Sequence, residues 1–127
     1  MSRISPINFR LLEWLNYRQK TITSVLNLQR RLLAIINQAA AIDFLILEQY
    51  GETEATIIAL DDLQNVQERA DTYYTRFYRL LRQIAGSQPV AAPAMLELLY
   101  SSINDAQATA DALEATIGEE KRNFNIL

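Results

Sequence analysis

The feature that most constrains this chain is the stretch from Pro6 to Tyr50, which contains no glycine and no proline after its first residue. Its apolar residues recur at alternating steps of three and four, the spacing that places side chains on one side of a helix. This first row comprises Leu11, Leu15, Ile22, Val25, Leu32, Ile36, Ala39 and Ile46. A second row is Leu12, Leu26, Leu33, Ala40 and Leu47, and a third is Trp14, Leu28, Ile35 and Ile42. An apolar surface this wide predicts a long helix that is enclosed by at least two others.

The composition favours helices and excludes several kinds of chemistry. Half of the 127 residues are hydrophobic and only three are glycine, which is typical of a single helical domain over residues 1–127. There is no cysteine and no histidine. Disulfides, thiol nucleophiles, Ser-His-Asp catalysis, zinc hydrolysis and Glu-x-x-His di-iron sites are therefore excluded. We expect a non-enzymatic protein with no catalytic residue, cofactor or metal site, and a cytoplasmic location.

No membrane-inserted segment is expected. The N-terminal sequence Met-Ser-Arg-Ile-Ser-Pro lacks the apolar run of a secretory peptide. The most apolar run, residues 32–47, includes Asn37, Gln38 and Asp43 and is shorter than the roughly 20 apolar residues that a span needs. We therefore expect this run to be a buried helix and not a membrane crossing.

Start and stop signals divide the chain into three or four helices. Ser5 before Pro6 suits a helix start, whereas the polar cluster within residues 16–21 could break the first helix into two. The two prolines in the loop after Gly86 end the second helix. The predicted elements are helices over residues 6–50, 53–85 and 93–117, the last closed by Gly118, and a tail over residues 119–127.

The second and third helices carry heptad patterns. In the second, Leu63, Ala70, Phe77 and Ile84 alternate with Ala59, Val66, Tyr73 and Leu80. In the third, Leu96, Ile103, Ala110 and Ile117 alternate with Leu99, Ala106 and Leu113. Such patterns indicate coiled-coil-like packing, and short connections favour antiparallel neighbours. The sequence predicts an all-α, antiparallel up-down-up bundle of three long helices, or of four if the first breaks.

The first helix is longer than its predicted partners and leaves residues 4–17 uncovered. Exposing this much apolar surface is unusual for a soluble monomer, and aromatic residues beside arginines suit a protein interface or an anionic membrane surface. The segment could equally fold back and cap the core. The predicted interaction residues are Ile7, Phe9, Arg10, Leu11, Leu12, Trp14, Leu15, Tyr17 and Arg18.

Charge is distributed unevenly along the chain. Residues 1–42 carry a net charge of +5, residues 43–71 carry −7, residues 72–93 carry +3 and residues 94–127 carry −4. An antiparallel bundle would therefore have one basic end and one acidic end. Such polarity can direct assembly or attract an anionic partner, although the two ends can also simply balance each other within one molecule.

Two further clusters of side chains are candidate binding sites. Tyr73, Tyr74, Phe77 and Tyr78 are interleaved with three arginines, as in proteins that stack single-stranded nucleic acid. The heptad places Tyr73 and Phe77 in the core and leaves only Tyr74 and Tyr78 free to face outward. A pI of about 4.9 also disfavours phosphate binding. An acidic group, Asp43, Asp61, Asp62, Glu119 and Glu120, offers oxygen ligands for a divalent cation, but Lys121 and Arg122 are close enough in sequence to neutralise it.

These observations favour a protein-interaction, assembly or adaptor module. We expect it to self-associate as a homo-oligomer, or to dock onto a larger protein, through the apolar face of its first helix. The alternative is a peripheral binder of an anionic surface, membrane or nucleic acid, through the basic end, with nucleic acid the less favoured of the two.

Overall fold

Three helices pack together in the computed structural model of this protein. The structure describes the backbone of residues 6–87 and 93–127, with the side chains of Leu12, Leu15, Asn16 and all residues of those ranges from Gln19 onward. The helices are α1 (Pro6–Tyr50), α2 (Glu54–Gly86) and α3 (Pro93–Asn123). The described residues include no strand. The prediction of an all-α protein built from three packed helices is therefore confirmed.

Helix α1 is continuous through residues 16–21, where the sequence allowed a break. Asn16, Gln19 and Lys20 are exposed. Polar side chains that face water do not compete with the backbone hydrogen bonds of a helix, so this cluster interrupts the apolar pattern without interrupting the helix.

The connection between α1 and α2 is short and tightly hydrogen-bonded. Gly51 has a φ of 68°, and its N–H donates to the Leu47 carbonyl at 2.9 Å. Such a left-handed residue ends a helix most easily when it is glycine. Thr53 then caps α2: its N–H donates to Thr56 Oγ1 at 2.7 Å, and the Thr56 N–H donates to Thr53 Oγ1 at 3.1 Å. Both termini are therefore satisfied within a few residues.

Helix α3 is longer than predicted. It continues through Gly118 to Asn123 instead of ending at residue 117, so residues 119–123 of the predicted tail belong to the helix. A glycine inside a helix costs only about 1 kcal/mol relative to alanine, and burial of Ile117 and Glu120 holds these turns against the bundle. The end comes at Asn125, with φ 56°, where the Ile126 N–H donates to the Lys121 carbonyl at 2.8 Å. This is the hydrogen bonding of a Schellman motif.

The hydrophobic core runs through all three helices. In α1 it uses most of the first and third rows of the sequence pattern, whereas the second row lies outside it. The heptad residues of α2 and α3 are mostly buried, and Tyr73, Leu96 and Ile103 pack against the core while remaining half-buried. The fully or nearly fully buried α1 residues are Val25, Leu28, Leu32, Ile35, Ala39, Ile42 and Ile46.

Candidate interaction surface

Most of the predicted interaction surface lies outside the described side chains. This holds for seven of its residues, namely Ile7, Phe9, Arg10, Leu11, Trp14, Tyr17 and Arg18. The two described residues, Leu12 and Leu15, are 52% and 41% exposed. These two leucines therefore present apolar surface to solvent.

The exposed leucines continue far beyond the N-terminal segment. Leu26 is 50% exposed, Leu33 is 49% exposed and Leu47 is 43% exposed, and each is separated from the next by one or two heptads. Gln19 and Ala40, at the intervening positions, are also exposed. Residues seven apart lie within about 20° of each other around a helix, so a row with this spacing turns gradually around it. The leucine row, defined as Leu12, Gln19, Leu26, Leu33, Ala40 and Leu47, thus runs along nearly the whole of α1.

The leucine row faces away from α3. Arg31 forms ion pairs with Asp111 and Glu114 of α3, the first at 2.5 Å, and these carboxylates raise the pKa of the Arg31 guanidinium further above its ordinary value. Leu33 is two residues along the helix from Arg31, which corresponds to about 200° of rotation. The side of α1 that binds α3 and the side that carries the leucine row are therefore nearly opposite.

Helix α2 extends the same surface. Gln29 Nε2 donates to the Tyr74 carbonyl oxygen at 3.5 Å, so α2 lies beside α1 at this level. Ile57 and Tyr78, three heptads apart on α2, are 49% and 55% exposed. On the other side of α2, Asp62 lies close enough to Glu120 of α3 that, in addition to desolvation, its charge raises the pKa of that carboxyl. Like the leucine row, Ile57 and Tyr78 therefore lie away from α3.

The two helices together form what we call the open face. Its outer edges are formed by the leucine row on α1 and by Ile57 and Tyr78 on α2. Between them lie half-buried side chains that also contact the core, namely Ile36, Leu60, Tyr74 and Leu81. Helical spacing places these four on the sides of α1 and α2 that face each other. The open face is thus an apolar surface between two helices, of the kind that further helices cover in larger bundles.

The sequence pattern includes the leucine row as one of three apolar rows of α1, but the predicted unburied apolar surface was limited to residues 4–17. The seven-residue spacing of the leucines was already a signal that a separate face existed. The contribution of Ile57 and Tyr78 had no comparable signal, because isolated exposed hydrophobic residues are common on protein surfaces.

The acidic residues that were candidate ligands for a divalent cation lie only partly close to one another. Glu120 is buried, and desolvation, followed by the nearby charge of Asp62, raises its pKa. Asp43 is half-buried, and desolvation likewise raises its pKa. Among the side chains that the structure describes, no three acidic residues are grouped closely enough to hold a metal ion.

In the arginine and tyrosine cluster of α2, two arginines lie over tyrosine rings of the same helix. The Arg76 guanidinium lies 4.9 Å from the centre of the Tyr73 ring, and Arg82 lies 6.0 Å from the centre of the Tyr78 ring. Tyr74, expected to face outward, is half-buried, and Tyr78 is exposed as expected. Two of the rings on which a base could stack are thus already covered on one side by arginine.

One part of α1 meets the length and composition criteria for a membrane span. The segment Gln19–Tyr50 has a mean hydropathy of 1.4 in its most apolar window, and 28% of that window is buried inside the structure. The prediction that α1 has no segment long and apolar enough to span a membrane rested on residues 32–47 alone. The criterion is weak, because the core helix of a soluble bundle also meets it.

Comparison of the chain with protein-family models, with characterised proteins and with solved structures finds no significant match. The geometry of the open face is therefore the basis for any functional inference.

Proposed function

We propose that this protein is a non-enzymatic interaction or assembly module whose contact surface is the apolar face of α1. The observation that carries this proposal is the leucine row, in which Leu26, Leu33 and Leu47 are about half-exposed although the residue before each of them is fully buried. Leu32 and Leu33 are neighbours in sequence, yet Leu32 is 0% exposed and Leu33 is 49% exposed. Helix α1 therefore has one apolar side buried in the core and a second apolar side exposed to solvent.

The free energy available on this face is substantial. Complete burial of a leucine side chain contributes about 2 kcal/mol, so covering the exposed half of each of four leucines contributes roughly 4 kcal/mol in total. Contiguous apolar surface on a monomer often marks a site of interaction. A partner that covers the leucine row would recover this free energy, whether that partner is another copy or a larger protein.

An up-down-up arrangement with coiled-coil-like packing accounts for the observed contacts. The contact between Gln29 and Tyr74, together with the short α1–α2 connection, supports antiparallel pairing of these helices. Arg31 of α1 contacts Asp111 of α3, and further along both helices Tyr50 donates to the Phe124 carbonyl oxygen at 3.0 Å. These two contacts support a parallel orientation of α1 and α3, as in an up-down-up bundle. In this topology α1 and α2 present their open face over many turns.

The alternative function is binding to an anionic surface. Arg76, Arg79 and Arg82 are exposed on α2, and Lys20 and Arg30 are exposed on α1. Attraction of this kind is screened by salt, whereas apolar association is not weakened by it. Sensitivity to salt therefore separates the two functions.

Sedimentation velocity of the wild type and of the variant Leu26→Asp/Leu33→Asp tests the proposal. We expect the wild type to sediment as an oligomer at low and at high salt, and the variant to be a folded monomer. The matched control is Asn27→Asp/Ala34→Asp, which introduces the same charges at the same spacing at exposed positions elsewhere on α1.

Two results would contradict the proposal. If the leucine variant keeps the wild-type mass and only melts earlier, the row is part of the core. If the wild type is a monomer with the same mass and solubility as the variant, the exposed leucines have no role in assembly. Sedimentation with anionic vesicles at low salt only would support the alternative function.

A further inference from the structure

We infer that the open face is covered by a second copy of this chain, which packs in an antiparallel, two-fold symmetric arrangement with α1 against α1 and α2 against α2. The inference rests on the proposed function and specifies its partner. Two patterns that are independent of each other in sequence support it, and the structure places their centres side by side.

The first pattern is the symmetry of the leucine row. Leu26 and Leu33 are equally far from a point between residues 29 and 30, and so are Leu12 and Leu47. When two such helices run antiparallel with this point on the two-fold axis, Leu26 of each copy meets Leu33 of the other. A symmetric contact requires a surface that complements itself in this way.

The second pattern is the symmetry of polar groups on α2. Asp71 and Tyr78 are equally far from a point between residues 74 and 75, and Glu68 and Arg82 are equally far from Thr75. Asp71, Tyr78, Glu68 and Arg82 are all exposed. Around an axis at this point, the Tyr78 hydroxyl can donate to Asp71 of the second copy, and Arg82 can pair with its Glu68.

The two centres lie at the same level of the molecule. Gln29 Nε2 contacts the Tyr74 carbonyl oxygen, which joins the centre of the first pattern to the centre of the second. One two-fold axis therefore satisfies the leucines of α1 and the charges of α2 together. A second copy is the occupant that these patterns favour, because it presents the same leucines together with Glu68 and Arg82 at complementary positions.

The arrangement also brings the oppositely charged parts of two chains together. On α2, Arg82 of one copy lies level with Glu68 of the other, and both side chains are exposed. Complementary potentials of this kind favour one orientation of two partners. Arg30 is the exception, because the two copies of this exposed residue lie close to the axis and repel each other.

Cysteine cross-linking tests the arrangement directly, because the chain has no cysteine of its own. With a short bismaleimide, Arg30→Cys is expected to form a covalent dimer, since its two copies flank the axis. Thr23→Cys and Asn37→Cys, in the same exposed row, are each roughly 20 Å from their own second copy. Alone they are expected to remain uncrosslinked, but an equimolar mixture of the two is expected to form the heterodimer.

Charge exchange provides a second test that does not depend on new cysteines. Glu68→Arg and Arg82→Glu are each expected to weaken dimerisation roughly tenfold, because every change affects two symmetry-related pairs. The combined variant Glu68→Arg/Arg82→Glu is expected to restore wild-type dimerisation. Sedimentation equilibrium at low salt measures all three variants, and thermal melting shows whether they are folded.

The outcomes separate this inference from the proposed function. Efficient self-crosslinking of Thr23→Cys or Asn37→Cys in an oligomeric protein would show a parallel arrangement and overturn the antiparallel one, while leaving the role of the leucine row intact. An oligomer in which none of these positions crosslinks and charge exchange gives no rescue would also overturn the inference. A monomeric wild type that is unaffected by Leu26→Asp/Leu33→Asp would contradict the proposed function as well.

Discussion

Truncation of two neighbouring leucines separates the roles of the core and of the open face. Leu32 is fully buried, so Leu32→Ala removes buried methyl groups and leaves a cavity, and should lower the free energy of unfolding by about 2–5 kcal/mol. Leu33 is 49% exposed. Leu33→Ala should therefore lower the stability of the isolated chain by less than about 1 kcal/mol.

The order is reversed for association. Burying the exposed half of Leu33 contributes about 1 kcal/mol in each copy, or about 2 kcal/mol in a symmetric dimer. This corresponds to a roughly 30-fold weaker dimer for Leu33→Ala. Leu32 is thus expected to contribute mainly to folding, and its neighbour Leu33 mainly to assembly.

Urea unfolding at low protein concentration, where the monomer dominates, measures the first effect, and sedimentation equilibrium over a range of concentrations measures the second. Ala34→Ser is a suitable control, since Ala34 is exposed on α1 outside the leucine row. Equal losses of stability for Leu32→Ala and Leu33→Ala, without any change in the dimerisation constant, would refute the separation of the two faces.

Three other substitutions test particular contacts. Desolvation and the charge of Asp62 raise the pKa of Glu120, so folding favours its protonated form and stability falls as pH rises from the ordinary carboxylate range through this raised pKa. Glu120→Gln should therefore melt higher than the wild type at pH 7 and lose this advantage in acid, and calorimetry that shows no pH-dependent difference would contradict the assignment. Tyr50→Phe removes the hydrogen bond to the Phe124 carbonyl while retaining the ring, and should cost about 1 kcal/mol and speed amide exchange near residues 124–126; unchanged exchange would mean that this contact does not hold the C-terminal turn. Thr53→Ala removes the α2 cap and should cost about 1 kcal/mol in urea unfolding, whereas Thr53→Ser should retain most of the stability.

The pattern of the sequence was sufficient for the helices. The spacing of apolar residues, Gly51 and the prolines after Gly86 specify local structure, which depends on neighbours within a few turns. This is why the predicted starts and ends of α1 and α2 agree with the structure to within a residue. Gly118 misled the prediction because a glycine signals a helix end only when no packing continues beyond it, and Ile117 and Glu120 pack against the bundle.

The candidate site was only partly predictable. The leucine row was visible in the sequence as one of three apolar rows of α1, but periodicity gives relative rotation around a helix and not which rows other helices cover. Its exposure depends on the tertiary packing: Arg31 pairs with α3 on the opposite side of α1, and Leu26, Leu33 and Leu47 stay about half-exposed beside α2.

The sequence by itself determined that this chain is helical, where its long helices begin and that one of them carries more apolar surface than a single partner can cover. These properties follow from interactions between residues close together in the chain. Only the tertiary structure decided that the leucine row lies outside the core, that Ile57 and Tyr78 adjoin it and that Gln29 stands level with Tyr74. Those properties arise from contacts between residues that are far apart in the sequence. A local pattern does not encode which sides of two helices meet.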